Sequence, residues 1–208
     1  MLLHGITGSG KTELYIHLIA EALARGGDVL LLVPEIAITA QLIARLERIF
    51  GSRVTAYHSK LTLARRTESY LRLTRSDGGE LVVGARSALF CPLSDLGLII
   101  IDEEHEGSYK QDSSPRYHAR DVAQFRCAQN DALLLLGSAT PDVVSRYYAE
   151  TGRYHYFTLP DRFNARKLPD VIIADMKQEL RNGNSGSISS VLYGELEENL
   201  RRGEQLSL

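Results

Sequence analysis

Residues 5–12, Gly-Ile-Thr-Gly-Ser-Gly-Lys-Thr, restrict the fold of this chain more than any other stretch. They complete the pattern G-x-x-x-x-G-K-[ST], and the run ELYIHLIAEALA that follows spaces its apolar side chains like a helix. The chemistry explains the pattern. Gly8 and Gly10 let the backbone curl so that its N–H groups surround a phosphate, and a helix starting near Gly10 turns its positive end toward that anion. Lys11 can reach the outer phosphates of a nucleotide, and the Thr12 hydroxyl suits magnesium. Gly8, Ser9, Gly10, Lys11 and Thr12 are therefore the expected nucleotide-binding residues, for ATP or GTP. A chance glycine turn is the bland alternative, disfavoured by the complete match and by the helix pattern behind it.

A loop of this kind joins a strand to a helix, and the rest of the chain repeats that alternation. DVLLLVP at 28–34 is apolar without a break and is closed by Pro34, which suits a strand covered on both faces. Residues 36–50 place Ile38, Leu42, Ile43, Leu46 and Ile49 at helical spacing. SRVTAYHS and GGELVVGA read as strands, with a helix over 61–74 between them. LGLIIID at 96–102 is the most apolar strand, and DALLLLGSAT at 131–140 is another that ends in small polar residues. In open α/β sheets ligands collect at the carboxyl ends of strands, where these polar residues stand. The fold class is α/β, a mostly parallel sheet flanked by helices.

LIIIDEEH at 98–105 supplies the acid that a phosphate loop needs. Asp102, at the end of an apolar strand, is the expected magnesium ligand, and Glu103 beside it can orient or deprotonate an attacking water. An acidic helix start capping a dipole is the alternative.

At 208 residues the chain fits one domain, able to bury roughly 70% of its unfolded surface. A formal net charge of -2 excludes a molecule-wide field that draws in nucleic acid, so any such partner must be held by local patches. Cys91 and Cys127 are isolated in sequence, which predicts small core residues rather than a disulfide framework or a zinc site. The absence of a long apolar run or a signal-peptide pattern predicts a cytoplasmic protein with no membrane partner. From 161 to 208 the composition changes: RFNARKLP is basic, VIIAD reads as a short strand, and 181–190 is almost free of apolar residues and reads as a mobile loop. Residues 1–160 form the core and 161–208 a connector. MLLH is short for a sheet strand, and a strand starting at Gln205 has nothing after it, so a piece of a larger protein is expected.

The strings GITGSGKTE, LVPEIAIT, GARSALF, IIDEEHEGSYKQ, RYHARDVA and LGSATP resemble superfamily two helicases, and more narrowly the primosomal replication-restart DNA helicases. That resemblance covers nearly the whole chain in the right order. It implies the first of two RecA-like P-loop NTPase lobes, with ATP and magnesium in the cleft between them. Lys11, Glu103 and His105 are then catalytic, and the resemblance implies that His105 hydrogen-bonds toward Ser138 or Thr140 and so passes on changes at the phosphate site; otherwise that histidine is one more satisfied polar residue. The resemblance also implies hydrolysis coupled to 3′-to-5′ movement on DNA, restart of stalled forks and assembly of a primosome. Implied partners are forked and single-stranded DNA, single-stranded DNA-binding protein and other primosome proteins. Zinc is expected only in a module beyond this chain, with the second lobe. That lobe also supplies an arginine to the γ-phosphate, so this piece alone should hydrolyse ATP poorly and should not unwind DNA.

For DNA the resemblance points to Thr39, Arg86 and Ser87 at backbone phosphates. It points to Tyr109, Lys110, Arg116 and Tyr117 in the segment 106–121, where planar and cationic groups suit unpaired bases. Ordinary turns and packed tyrosines are the alternatives. This chain carries Pro115 where relatives often have a tryptophan, and it has no Trp at all, which leaves Tyr109 and Tyr117 as the stacking candidates. A phosphoryl-transfer kinase would share the loop but not GSATP. A nucleotide-gated binding module would share both and predicts little stimulation of hydrolysis by DNA.

Overall fold

The apolar runs become strands because each can be covered on both faces while its backbone groups pair with neighbours. In the computed structural model, which describes residues 1–162 and 171–203, one seven-stranded sheet runs through the molecule. Its strands are β1 (Leu2–Gly5), β2 (Asp28–Leu32), β3 (Val54–Tyr57), β4 (Leu81–Gly84) and β5 (Leu96–Asp102), followed by β8 (Leu133–Ser138) and β9 (Tyr156–Leu159). The order is β3-β4-β2-β5-β8-β1-β9, and every pairing is parallel. A short antiparallel ribbon, β6 (Lys110–Gln111) with β7 (Tyr117–His118), stands apart from the sheet.

The period of two along each strand sorts side chains to two cores. Val29, Leu31, Leu98, Ile100 and Leu135 meet Tyr15, Ile19 and Leu23 of α1 (Lys11–Ala24) and Leu46 of α2 (Ala40–Phe50). Leu30, Leu32, Ile99, Ile101 and Leu136 meet Ala119, Ala123 and Cys127 of α4 (Ala119–Asn130) on the other face. Cys91 and Cys127 are free and buried. Each fully covered Leu, Ile or Val is worth about 1.5–3 kcal/mol, so the central strands dominate stability.

Between β3 and β4 lies α3 (Leu63–Thr74), and α5 (Val143–Glu150) follows β8. Thr39 caps α2 by accepting a hydrogen bond from Leu42 N, so that helix begins at Ala40 and not at 36, where a separate 3-10 turn, Glu35–Ala37, intervenes. Four residues suffice for β1 because it is paired on both sides, with β8 and with β9. At the opposite ends of the strands the buried Asp28 carboxylate accepts hydrogen bonds from Glu80 N and Asp95 N. It fastens the entries of β4 and β5 to β2.

The chain divides into two units, Met1–Ala165 and Arg166–Leu208. The second contains α6 (Met176–Arg181) and α7 (Ser190–Arg202). Asp175 and Ser189 cap these helices, and Gly203 in the left-handed region (φ 67°) closes α7. The Glu179 carboxylate accepts from Asn184 Nδ2, Ser190 N and Ser190 Oγ, which organises the stretch between the helices that the composition marked as mobile. VIIAD, expected as a strand, pairs with no described strand, and Val171, Ile172 and Ile173 are exposed. An apolar run makes a strand only where a neighbour offers it backbone partners. Arg166, Lys167 and the strand expected from Gln205 lie outside the described residues. Among the described residues no helix is long and apolar enough to cross a membrane.

Candidate active site

The loop between β1 and α1 folds as its glycines demand. Gly8 and Gly10 have φ of 80° and 92°, a region costly for any residue with a Cβ. Gly10 is the N-cap of α1 and provides no side-chain cap, so the first N–H groups of the helix, which have no intrahelical acceptor in any helix, receive none from a capping side chain either. Ser9 Oγ is buried without a hydrogen-bond partner. Open N–H groups, an unpartnered hydroxyl and the positive end of a helix are what an oxyanion of phosphate would satisfy.

A cavity of ≈ 470 Å³ joins this loop to the end of β5. Gly8, Gly10, Lys11 and Thr12 line one side and Asp102 and Glu103 the other, so these expected site residues meet in one place. Lys11 Nζ donates to Gly5 O at 2.7 Å and lies 3.6 Å from Glu103 Oε1. Thr12 is exposed to the cavity. Among the described residues no three His, Cys, Asp or Glu side chains converge to hold an ion. A divalent cation here would be shared by Thr12, Asp102 and oxygens of a bound ligand.

Asp102 is held by a residue the sequence did not single out. Tyr15, one helical turn after Lys11, donates from its hydroxyl to Asp102 Oδ1 at 2.8 Å. Gly137, paired with Asp102 across the sheet, makes room for that hydroxyl: a Cβ on Gly137 would stand 1.8 Å from it. Burial pushes the Asp102 carboxyl above its ordinary range, against the opposing effects of the Tyr15 hydrogen bond and the Lys11 charge. Burial also raises the Tyr15 and Tyr109 hydroxyls. A cation beside Asp102 would offset that cost.

After Asp102 the backbone turns sharply, with Glu103 in the left-handed region (φ 47°). The turn separates two neighbouring carboxylates. Glu103 faces the cavity, 3.6 Å from Lys11 and 3.7 Å from His105 Nδ1. Glu104 points inward: Asp142 N donates to its Oε1 at 2.7 Å and Ser145 Oγ to its Oε2 at 2.8 Å. Arg120 Nη1 lies 3.6 Å from the same carboxylate. His105 Nδ1 is 2.7 Å from Ser138 Oγ, and its Nε2 is 3.3 Å from Thr140 Oγ1, so the histidine spans both residues named for coupling.

The residues named for DNA are scattered by comparison. Thr39 is exposed at the start of α2. Ser87, Arg86 and Tyr117 line a second cavity of ≈ 300 Å³ beside the ribbon. Arg86, expected at a phosphate, is turned instead to the ribbon, where it donates to Ser108 O, Lys110 O and Gln111 Oε1 and stacks near the Tyr117 ring. Lys110 and Arg116 are exposed, each close to Asp112. Tyr109 overturns the stacking expectation for that residue: it is 1% exposed, with its hydroxyl donating to Asp102 O at 2.7 Å, so its ring cannot meet a base. Phe90, which the sequence did not flag, is the exposed aromatic here, packed edge-on against Tyr117 at 5.4 Å.

The family model described as DEAD/DEAH box helicase matches residues 1–147. The chain is 47% identical over 207 residues to the replication restart protein PriA of Bacillus subtilis, and 45% identical over 212 residues to that of Synechocystis. These matches cover 100% and 98% of this chain, but only 26% and 25% of the relatives, so the chain spans about a quarter of their length. Among solved structures, RecG bound to a three-way DNA junction matches with a TM-score of 0.54 at 24% identity, over 77% of this chain and 20% of that one. The helicase MrfA bound to DNA matches with a TM-score of 0.55 at 19% identity, over 78% of this chain and 25% of that one. Likenesses this remote speak to the fold alone, a RecA-like parallel sheet flanked by helices.

Proposed function

Because the chain belongs to the DEAD/DEAH box helicase family, we propose that it is the ATP-binding motor lobe of a replication-restart DNA helicase, with hydrolysis coupled to 3′-to-5′ movement on DNA. One observation carries this reading: the phosphate-loop residues Lys11 and Thr12 and the carboxylates Asp102 and Glu103 line a single cavity.

In that reading the first N–H groups of α1 and the Lys11 amine hold the β- and γ-phosphates of ATP. Lys11 gives up its hydrogen bond to Gly5 O to do so. Thr12 and Asp102 would hold magnesium, which when bound would neutralise charge on the phosphates. Glu103 Oε1 is freed from Lys11 by the nucleotide and takes a proton from the attacking water. His105 passes the change to Ser138 and Thr140, and through them to the segment that starts α5. Exposed Lys110, Arg116 and Thr39, with half-buried Tyr117 and Ser87, make the face for single-stranded or forked DNA. A second lobe elsewhere in the protein completes the phosphate site with an arginine, and zinc belongs with that lobe. Single-stranded DNA-binding protein and primosome components are partners of the whole, which works in the cytoplasm.

The test is ATP hydrolysis by the full-length protein, with and without forked DNA, beside the same assay on this chain. The full-length enzyme should be stimulated by DNA and this chain should be nearly inactive. Lys11→Ala should lower kcat by about 10²–10³-fold, as removing one preorganised donor does. Undiminished hydrolysis in that variant, or a chain as fast as its parent, overturns the reading.

A further inference from the structure

The helix that follows the phosphate loop also grips the expected metal ligand. On α1 the stripe Tyr15, Ile19 and Leu23 is buried against the central strands, so packing locks the Tyr15 ring. Lys11 stands one turn before it on the same helix. From that position the Tyr15 hydroxyl donates to Asp102 Oδ1 at 2.8 Å. Asp102 ends β5 and pairs in register with Gly137 of β8. A Cβ on Gly137 would stand 1.8 Å from the Tyr15 hydroxyl and 2.9 Å from its Cζ, so the hydroxyl reaches Asp102 only because position 137 carries no side chain. Among the described residues no second side chain hydrogen-bonds to the Asp102 carboxylate, which also lines the cavity beside the phosphate loop.

We infer that Tyr15 is a positioning residue for the divalent ion, and that by holding Asp102 in one orientation it makes the site favour magnesium over calcium. The inference rests on the motor-lobe reading above, in which Thr12 and Asp102 are the protein ligands of the ion. Magnesium demands near-octahedral geometry with contacts of about 2.1 Å, whereas calcium accepts roughly six to eight oxygens and carboxylates bound through one oxygen or both. A carboxylate pinned at Oδ1 by a donor that cannot turn suits the strict ion. One free to rotate suits the tolerant ion. Because Lys11 and Tyr15 share one helix, the place of the phosphates and the aim of Asp102 are set by the same rigid element.

Tyr15→Phe keeps the buried ring and removes only the hydroxyl. In the full-length protein, titrated with a fluorescent ATP analogue, it should weaken binding in magnesium by about 10-fold or more, the usual cost of losing the partner that orients a metal ligand. In calcium the loss should stay under about 3-fold, and in EDTA binding should not change. Gly137→Ala, which displaces the same hydroxyl from the neighbouring strand, should reproduce the pattern. On an Asp102→Asn background, where no carboxylate is left to aim, Tyr15→Phe should alter binding in magnesium by less than about 2-fold. An unchanged affinity in magnesium, an equal loss with both ions, or a loss that persists in EDTA overturns the inference while leaving the motor reading intact. A wild-type protein whose nucleotide binding ignores magnesium altogether refutes the motor reading itself.

Discussion

Glu103 opens onto the cleft above the phosphate loop, whereas Glu104 turns inward between α4 and α5. Their side chains are 33% and 0% exposed, though they are consecutive in the chain. One left-handed residue in the turn separates them. The cleft side leaves its groups under-committed: Lys11 rests on a backbone carbonyl, Ser9 Oγ has no partner and Glu103 has only ion-pair distances. The inner side is fully satisfied, with every oxygen of Glu104 taken. A binding site needs groups held in place but free to change partners, and a scaffold needs the opposite. The acid box supplies both from adjacent positions.

Four substitutions can break this contrast. The largest effect on stability is expected for Glu104→Ala, which strands Arg120 with 13% side-chain exposure beside a lost partner. Breaking a buried pair costs about 3–5 kcal/mol, measurable by urea denaturation of this chain. Gly137→Ala should follow at about 1–3 kcal/mol, because its methyl group would displace the Tyr15 hydroxyl from Asp102. Magnesium-dependent nucleotide affinity should fall with it.

Asp142→Ala should cost about 1 kcal/mol through the lost cap on α5. Burial pushes the Asp142 carboxyl up, but hydrogen bonds from Val144 N and Arg120, with the Arg120 charge, outweigh it and hold it below its usual range. A carboxyl depressed in the folded state stabilises it above the unfolded group's pKa, and that contribution disappears as pH falls through the folded value. The gap between wild type and Asp142→Ala should therefore narrow below about pH 4.

The smallest stability change belongs to Glu103→Gln, within about 0.5 kcal/mol, because the part-exposed pair with Lys11 contributes little. Its hydrolysis should nevertheless fall by about 10²-fold or more. If Glu103→Gln destabilised the chain as much as Glu104→Ala, the division of labour between the two carboxylates would be refuted.

Much of this was legible in the residues. The strands at 28–32, 81–84, 96–102 and 133–138 announced themselves because a strand covered on both faces must be apolar throughout. The phosphate loop was legible because few other structures need that glycine spacing. What stayed hidden depends on partners far away in sequence. DEEH gives no sign that its second glutamate is structural, since the answer lies in Arg120 and in the start of α5. Tyr109 and Tyr117 look alike in sequence, yet one packs under the sheet and the other at the rim of a cavity. α4, α5 and β9 were not anticipated, and VIIAD looked like a strand although nothing described pairs with it. Asp28 and Tyr15, which fix the strand entries and the expected metal ligand, carry no local pattern at all.

The edge-on pair of Phe90 and Tyr117 has a practical consequence in a chain without tryptophan. An indole introduced by Phe90→Trp would be the sole fluorophore of its kind, seated on the exposed side of the ribbon. Its emission would redden or quench as that side is covered or opened. The chain thus offers a background free of indole emission, distinguishable from that of its ten tyrosines, against which occupancy of the ribbon face can be followed in real time.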